Sequence, residues 1–216
     1  MNCRKKNKES KSKTDKDLAW QEISTEHIVQ DQWIDFRKSA YRYPDGRVFE
    51  PFYSYSRKDY VVIVASDTEG NYICVRQFRQ GIREVTTEFP AGGVERNDGR
   101  EYAAKAATTA KATSTATAKV SEDTLEAAKR ELMEETGYVS EEWEHLLTIP
   151  SNATIADNYA TVFRAKNCRL VAEQNLDETE VLQICKHTAD EIEEMIQEGE
   201  FQQAVHVMAW LLAKGR

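Results

Sequence analysis

The stretch "KRELMEETGY", Lys129 to Tyr138, places Glu131, Glu134 and Glu135 within five positions. On a helix, residues three and four apart are neighbours, and like charges there repel by about 0.2–0.5 kcal/mol per pair. Such crowding is unfavourable unless positive charge sits among the carboxylates. Arg130 supplies one charge, at i, i+4 to Glu134. A cluster of hard oxygen ligands on a rigid helix also suits Mg²⁺ or Mn²⁺, cations that keep several waters and share a substrate phosphate. A solvated acidic face is the plain alternative, and charge alone does not decide between the two.

Outward from this stretch, "SEDTLEAAKRELMEETGY" predicts a helix. Ser121 or Asp123 can cap it, Leu125, Ala128 and Leu132 form a narrow apolar stripe, and Gly137 stops it. Upstream, "YVVIVAS" (Tyr60–Ser66) is an apolar β-branched run that predicts a buried strand. "YICVRQF" (Tyr72–Phe78) alternates and predicts its paired strand. "VTTEF" (Val85–Phe89) predicts another strand, ending at Pro90 and the Gly92–Gly93 pair. Downstream, "EHLLTIP", "NYATVFRA" and "EVLQICK" predict strands. "TADEIEEMIQEG" predicts a helix with Thr188 and Glu191 in capping-box spacing, and "FQQAVHVMAWLLAK" a final apolar helix. Strands and helices interleave without a strict βαβ rhythm. The expected fold is α/β of the mixed α+β kind, a mixed sheet flanked by helices.

Three segments stand apart. Residues 1–17 form a basic run expected to be a disordered tail, with a nucleic-acid arm as the lesser reading. Residues 18–57, with Trp20, Trp33, Tyr41, Tyr43 and the turn signal "YPDGR", form a short β region ahead of a main domain at 58–216. Residues 103–119, "AAKAATTAKATSTATAK", contain only Ala, Thr, Lys and Ser, and cannot contribute much to a core. They mark a low-complexity insertion at about 97–120.

Composition narrows the function classes. The chain has 216 residues, 40% hydrophobic and 31% charged, with a net charge of −8, which argues against a broad nucleic-acid face. No apolar run approaches the roughly 18 residues of a membrane helix, and the basic start lacks the apolar segment of a secretory signal. A cytoplasmic protein with no nucleic-acid or membrane partner is expected. Cys3, Cys74, Cys168 and Cys185 are dispersed, with no CxxC pair, so reduced thiols are expected. HExxH, GxSxG and GxxxxGK[ST] do not occur.

The pattern "REL-x-EE-x-GY", Arg130 to Tyr138, resembles the core of the Nudix box. The spacing fits from Glu122 onward, with seven residues between Glu122 and Arg130. The front of the box departs from the pattern. Its glycine corresponds to Gly93 in "FPAGG", and 28 residues separate Gly93 from Glu122 where the family has five, leaving 23 extra. "VRQFRQG" (Val75–Gly81) and "EFPAGG" (Glu88–Gly93), followed by the box, are similar to the ADP-ribose pyrophosphatase branch of the family.

The resemblance implies a mixed sheet between helices, a homodimer built by the N-terminal region, and a small-molecule nucleoside diphosphate substrate. It implies hydrolysis of the diphosphate bond, for ADP-ribose to AMP and ribose 5-phosphate. Glu131, Glu134 and Glu135, with the backbone carbonyl of Ala91, are implied as ligands of Mg²⁺ (or Mn²⁺), and Arg130 as the group orienting the glutamates. The implied general base lies in "NLDETEVL", with Glu180 first and Glu178 second. Arg79 and Arg76 are implied phosphate or sugar contacts and Glu88 a substrate-orienting group. Trp33, ahead of Trp20, is an aromatic that can stack on a base, a core or dimer-interface role being the alternative. The branch carries a proline about fifteen residues past the box, where this chain has Ala153 and Thr154, with Pro150 earlier. Other nucleotide sugars such as ADP-glucose or GDP-mannose therefore stay open, as does a non-catalytic ligand sensor.

Overall fold

The computed structural model describes residues 13–95 and 123–215. The expected insertion at about 97–120 and the first twelve residues of the expected tail lie outside the described residues. Within the tail, Asp15–Asp17 form a 3-10 turn closed by the Thr14 N–H donating to Asp17 Oδ2 at 2.9 Å.

Three antiparallel strands open the described chain: β1 (Gln21–Gln30), β2 (Asp35–Arg42) and β3 (Val48–Ser56). "YPDGR" makes the β2–β3 turn, with the Gly46 N–H donating to Tyr43 O at 2.9 Å. Trp20 packs edge-on against Tyr41 and Tyr43 and tilted on Phe52, so this sheet carries an aromatic cluster of its own. Almost every residue of β1 is exposed, Ile23, Ile28 and Val29 included.

The main domain is built on an eight-stranded sheet. Its strands are β4 (Tyr60–Asp67), β5 (Tyr72–Arg79), β6 (Glu84–Glu88), β7 (Ala91–Gly93), β8 (Tyr138–Val139), β9 (Glu142–Pro150), β10 (Tyr159–Leu170) and β11 (Leu182–His187). The path runs β11-β5-β4-β10-β8, with β6 on β5, β7 on β4 and β9 on β10. Among the described strands of this sheet, β4 and β10 alone pair in parallel. Three helices flank the sheet: α1 (Thr124–Thr136), α2 (Ala189–Glu198) and α3 (Ala204–Lys214).

Alternation along β4 divides the core. Val61 and Ile63 face α1, meeting Ala127, Ala128 and Leu132. Val62 and Val64 face the other way, meeting Ile192, Met195, Ala209 and Trp210 of α2 and α3. Leu132, Ile192 and Trp210 are among the largest fully buried side chains. Full burial of an aliphatic of this size stabilises by about 1.5–3 kcal/mol. The expected mixed sheet between helices is therefore what the chain forms.

One irregularity sets up everything that follows. β4 and β5 are paired only where Ala65 and Ser66 meet Ile73 and Tyr72, and then they separate. β6 and β7 occupy the opening, β6 bonded to β5 and β7 to β4. The segment "TEFPAGG" thus runs through a split in the sheet, reachable from both helical layers.

Candidate active site

The local sequence fixes α1 at both ends. The Asp123 side chain accepts from the Leu125 N–H, making Asp123 the cap rather than Ser121, which lies outside the described residues. Gly137 ends the helix with φ +72, and a Cβ there would lie 2.0 Å from Ala172 O, so the position admits glycine alone. The loop after β10 folds back over this end. Gln174 Nε2 donates to Glu135 O at 2.7 Å, and the Asn175 N–H to Glu134 O at 2.8 Å. These bonds satisfy carbonyls that a helix end otherwise leaves without partners.

The same packing pins the acidic cluster. Glu131 and Glu135, four apart, point into the sheet beside β7 and are buried, while Glu134 is partly exposed. Arg130 binds them from outside: its Nη1 donates to Glu131 Oε1 at 2.8 Å and to Glu134 Oε2 at 2.9 Å, and its Nη2 to Gly93 O at 2.9 Å. Glu135 Oε2 accepts from the Ala91 N–H at 3.0 Å. The cluster is therefore stitched to "PAGG" at both Ala91 and Gly93. Gly92 lies between them, and a Cβ there would stand 1.9 Å from the Glu131 Cδ. Here glycine is required by close approach rather than by backbone torsion.

Burial pushes the Glu135 carboxyl up to about 8. The Ala91 N–H opposes this, and the neighbouring Glu131 and Glu180 charges add to it. Burial likewise pushes Glu131 up to about 7, with Arg130 opposing and Glu134 and Glu180 reinforcing. Two desolvated carboxylates, a third at the rim and backbone carbonyls alongside make a hard-oxygen set that fits a divalent cation. Among the described residues no three carboxylate, imidazole or thiolate groups already converge on one point. Arg130 holds two of the carboxylates in its own bonds.

The raised pKa values predict a stability profile for the cation-free protein. The folded state keeps protons that the unfolded chain releases near the ordinary value of 4.5. This contribution is present below that pH and is lost as pH rises through about 7 to 8. In chelator, the melting temperature is expected to fall by several degrees from about pH 5 to about pH 8.5. The Glu131→Gln, Glu135→Gln double variant should show a flatter profile. An equal fall in both proteins would mean that these carboxyls are not desolvated.

Arg79 approaches from β5. Its Nε donates to Glu88 Oε1 at 2.9 Å and its Nη2 to Glu88 Oε2 at 2.5 Å. Nη1 has no hydrogen bond to any described residue. The guanidinium is raised in pKa, and though burial works against this, Glu88 and Glu135 both favour its charge. Arg79 therefore lies within electrostatic reach of the cluster. Glu180 does too, through its influence on both buried carboxyls. Glu178, its alternative, is exposed.

Arg76 lies elsewhere. Residues three apart on a strand face opposite sides, so Arg76 points away from Arg79, toward the α2 layer. It lines a groove of about 330 Å³ with Thr87, Gln183, Cys185, His187, Met195 and Glu200. Trp33 is 65% exposed in the β1–β2 turn, where Asp31 Oδ1 accepts from its N–H at 2.7 Å. It is not gathered with the carboxylates in this chain. Gln203 and His206 carry no motif, and residue order does not show the close approach of Gly92 to Glu131. The Gly92–Gly93 pair after a strand was the one available signal.

A buried glutamate pair on a capped helix, stitched to a glycine-rich strand and answered by an arginine, is the arrangement that the resemblance to the Nudix box implies, and comparison with known proteins points the same way. A family model for the NUDIX domain matches residues 111–211. Among curated proteins, the ADP-ribose pyrophosphatase of Bacillus subtilis (strain 168) is 25% identical over 192 residues, covering 86% of this chain and 87% of that protein. The methanol dehydrogenase activator of Bacillus methanolicus is 25% identical over 196 residues, covering 87% and 88%. A crystal structure of an ADP compounds hydrolase superposes with a TM-score of 0.72 at 17% identity, covering 94% of this chain and 96% of that one, which establishes the shared fold.

Proposed function

We propose that the protein hydrolyses the diphosphate bond of a nucleoside diphosphate linked to a second group, with ADP-ribose as the substrate and AMP and ribose 5-phosphate as products. The observation that carries this is the buried Glu131–Glu135 pair tied to the "PAGG" strand through Arg130 and the Ala91 N–H, with Arg79 and Glu180 within electrostatic reach. Similarity to the B. subtilis ADP-ribose pyrophosphatase supports the choice of substrate.

Glu131, Glu134 and Glu135, with the Ala91 carbonyl, would hold Mg²⁺, or Mn²⁺ in its place. Such a cation neutralises charge on the diphosphate and makes water a better nucleophile at neutral pH. Arg130 keeps Glu131 and Glu134 oriented through its own hydrogen bonds. Arg79 Nη1 donates to a phosphate oxygen and stabilises charge that grows as the bridging P–O bond breaks. Glu180 is the base that takes the proton of the attacking water. Water adds across the P–O–P bridge, one phosphate keeping the nucleoside and the other the ribose.

Exposed Ile23, Ile28, Val29 and Trp33 on the N-terminal sheet support a homodimer, with Trp33 available to a base or to the second copy. Free thiols at Cys74, Cys168 and Cys185 support a cytoplasmic location.

The test is phosphate release, through a coupled phosphatase, from ADP-ribose, ADP-glucose, GDP-mannose and a nucleoside triphosphate, each with and without Mg²⁺. Mg²⁺-dependent turnover led by ADP-ribose is expected. A different leading compound would overturn the substrate. Silence from folded protein would overturn the hydrolytic reading.

A further inference from the structure

Glu88 is fully buried, and its carboxylate is held from both helical layers. Arg79 binds it from the α1 side and Thr86 Oγ1 donates from the same strand. From the other side, Gln203 Nε2 donates to Glu88 Oε1 at 3.2 Å, and His206 Nε2 lies 3.8 Å from Glu88 Oε2. Both residues come from the start of α3, whose N-terminal end carries positive partial charge. His206 has one tautomer open to it. Its Nδ1 accepts from the Phe89 N–H at 3.2 Å, which leaves the proton on Nε2, facing the carboxylate. The ring is buried and lies parallel to Phe89.

A carboxylate that accepted only from Arg79 could swing with it. Contacts converging from β5, β6 and α3 leave it one position. The guanidinium, bound edge-on through Nε and Nη2, is then fixed with Nη1 turned away from Glu88. We propose that Gln203 and His206 are positioning residues, locking Glu88 and through it the Arg79 guanidinium that receives a substrate phosphate. This rests on the role given to Arg79 above, and it makes the α3 layer part of the phosphate site through its contacts with Glu88.

The test is a double-mutant cycle read by binding. Calorimetry with Mg²⁺ and adenosine 5′-(α,β-methylene)diphosphate, which cannot be hydrolysed, measures affinity independently of turnover. Gln203→Met, similar in size at a half-buried position, is expected to weaken binding about fivefold with an unchanged melting temperature. In an Arg79→Lys background, which keeps the charge against Glu88 but lacks the fork, the same change is expected to cost less than about twofold. His206→Gln serves as the second variant, with the same expected pattern. Equal losses in both backgrounds would overturn the proposal, because Gln203 would then act without Arg79. Failure of the wild-type protein to bind the analogue would overturn it as well. Binding with the expected coupling, in a protein that turns over no diphosphate compound, would sustain it while removing the hydrolytic reading.

Discussion

Glu135→Gln is expected to lower kcat/KM by about a thousandfold, the several kcal/mol that cation-held charge supplies in such reactions. The same change is expected to raise the melting temperature of the cation-free protein at about pH 8. The two effects share one cause. Glu135 is buried, and its neighbours Glu131 and Glu180 are also acidic, so its ionised form is costly in the folded state. Glutamine keeps the volume and an oxygen to accept the Ala91 N–H, but it brings no charge to a pocket whose use is charge. Activity on the best diphosphate substrate and thermal melts in chelator check the pair. Full activity in the variant would remove Glu135 from the set of groups that hold the cation.

Gly92→Ala is expected to cost about a hundredfold in activity with little change in stability. The backbone cannot yield, because Gly92 is paired with Val61 in the sheet. The Glu131 carboxylate must move instead, since the new methyl would stand about 2 Å from all three of its terminal atoms. A flexible side chain can swing aside cheaply, so the fold survives while one of the two buried carboxylates leaves its place. Gly93→Ala is the control. Its Cβ would meet only Lys58, at 3.5 Å, an ordinary contact, and activity within about twofold is expected. Equal losses at the two glycines would show that the strand, rather than the approach of Glu131, is what glycine protects.

Much of this was legible in residue order. Asp123, the Leu125–Ala128–Leu132 stripe and Gly137 define α1 because caps and periodicity are local properties. Thr188 and Glu191 do the same for α2, where both reciprocal bonds of the capping box form. Arg76 shows a signal present but unused: three positions from Arg79 on a strand, parity alone puts them on opposite faces. Glu180 was favoured over Glu178 in residue order alone, but the fold of their loop over the end of α1 was not legible there, because it depends on bonds from Gln174 and Asn175 to the Glu135 and Glu134 carbonyls. The role of Gln203 was not legible at all. A glutamine before a helix has no motif, and its partner lies 115 residues earlier.

That separation bears on how the protein is made. Synthesis runs from the N-terminus, so β5, β6 and the Arg79–Glu88 pair emerge from the ribosome long before α3 exists. Throughout that interval Trp210 and Ala209 are missing from the core, and Glu88 lacks its contacts from Gln203 and His206. Contacts between segments so distant in sequence form late and slowly. Gln203 and His206 are thus the last of the Glu88 partners to be made, after Arg79 and Thr86.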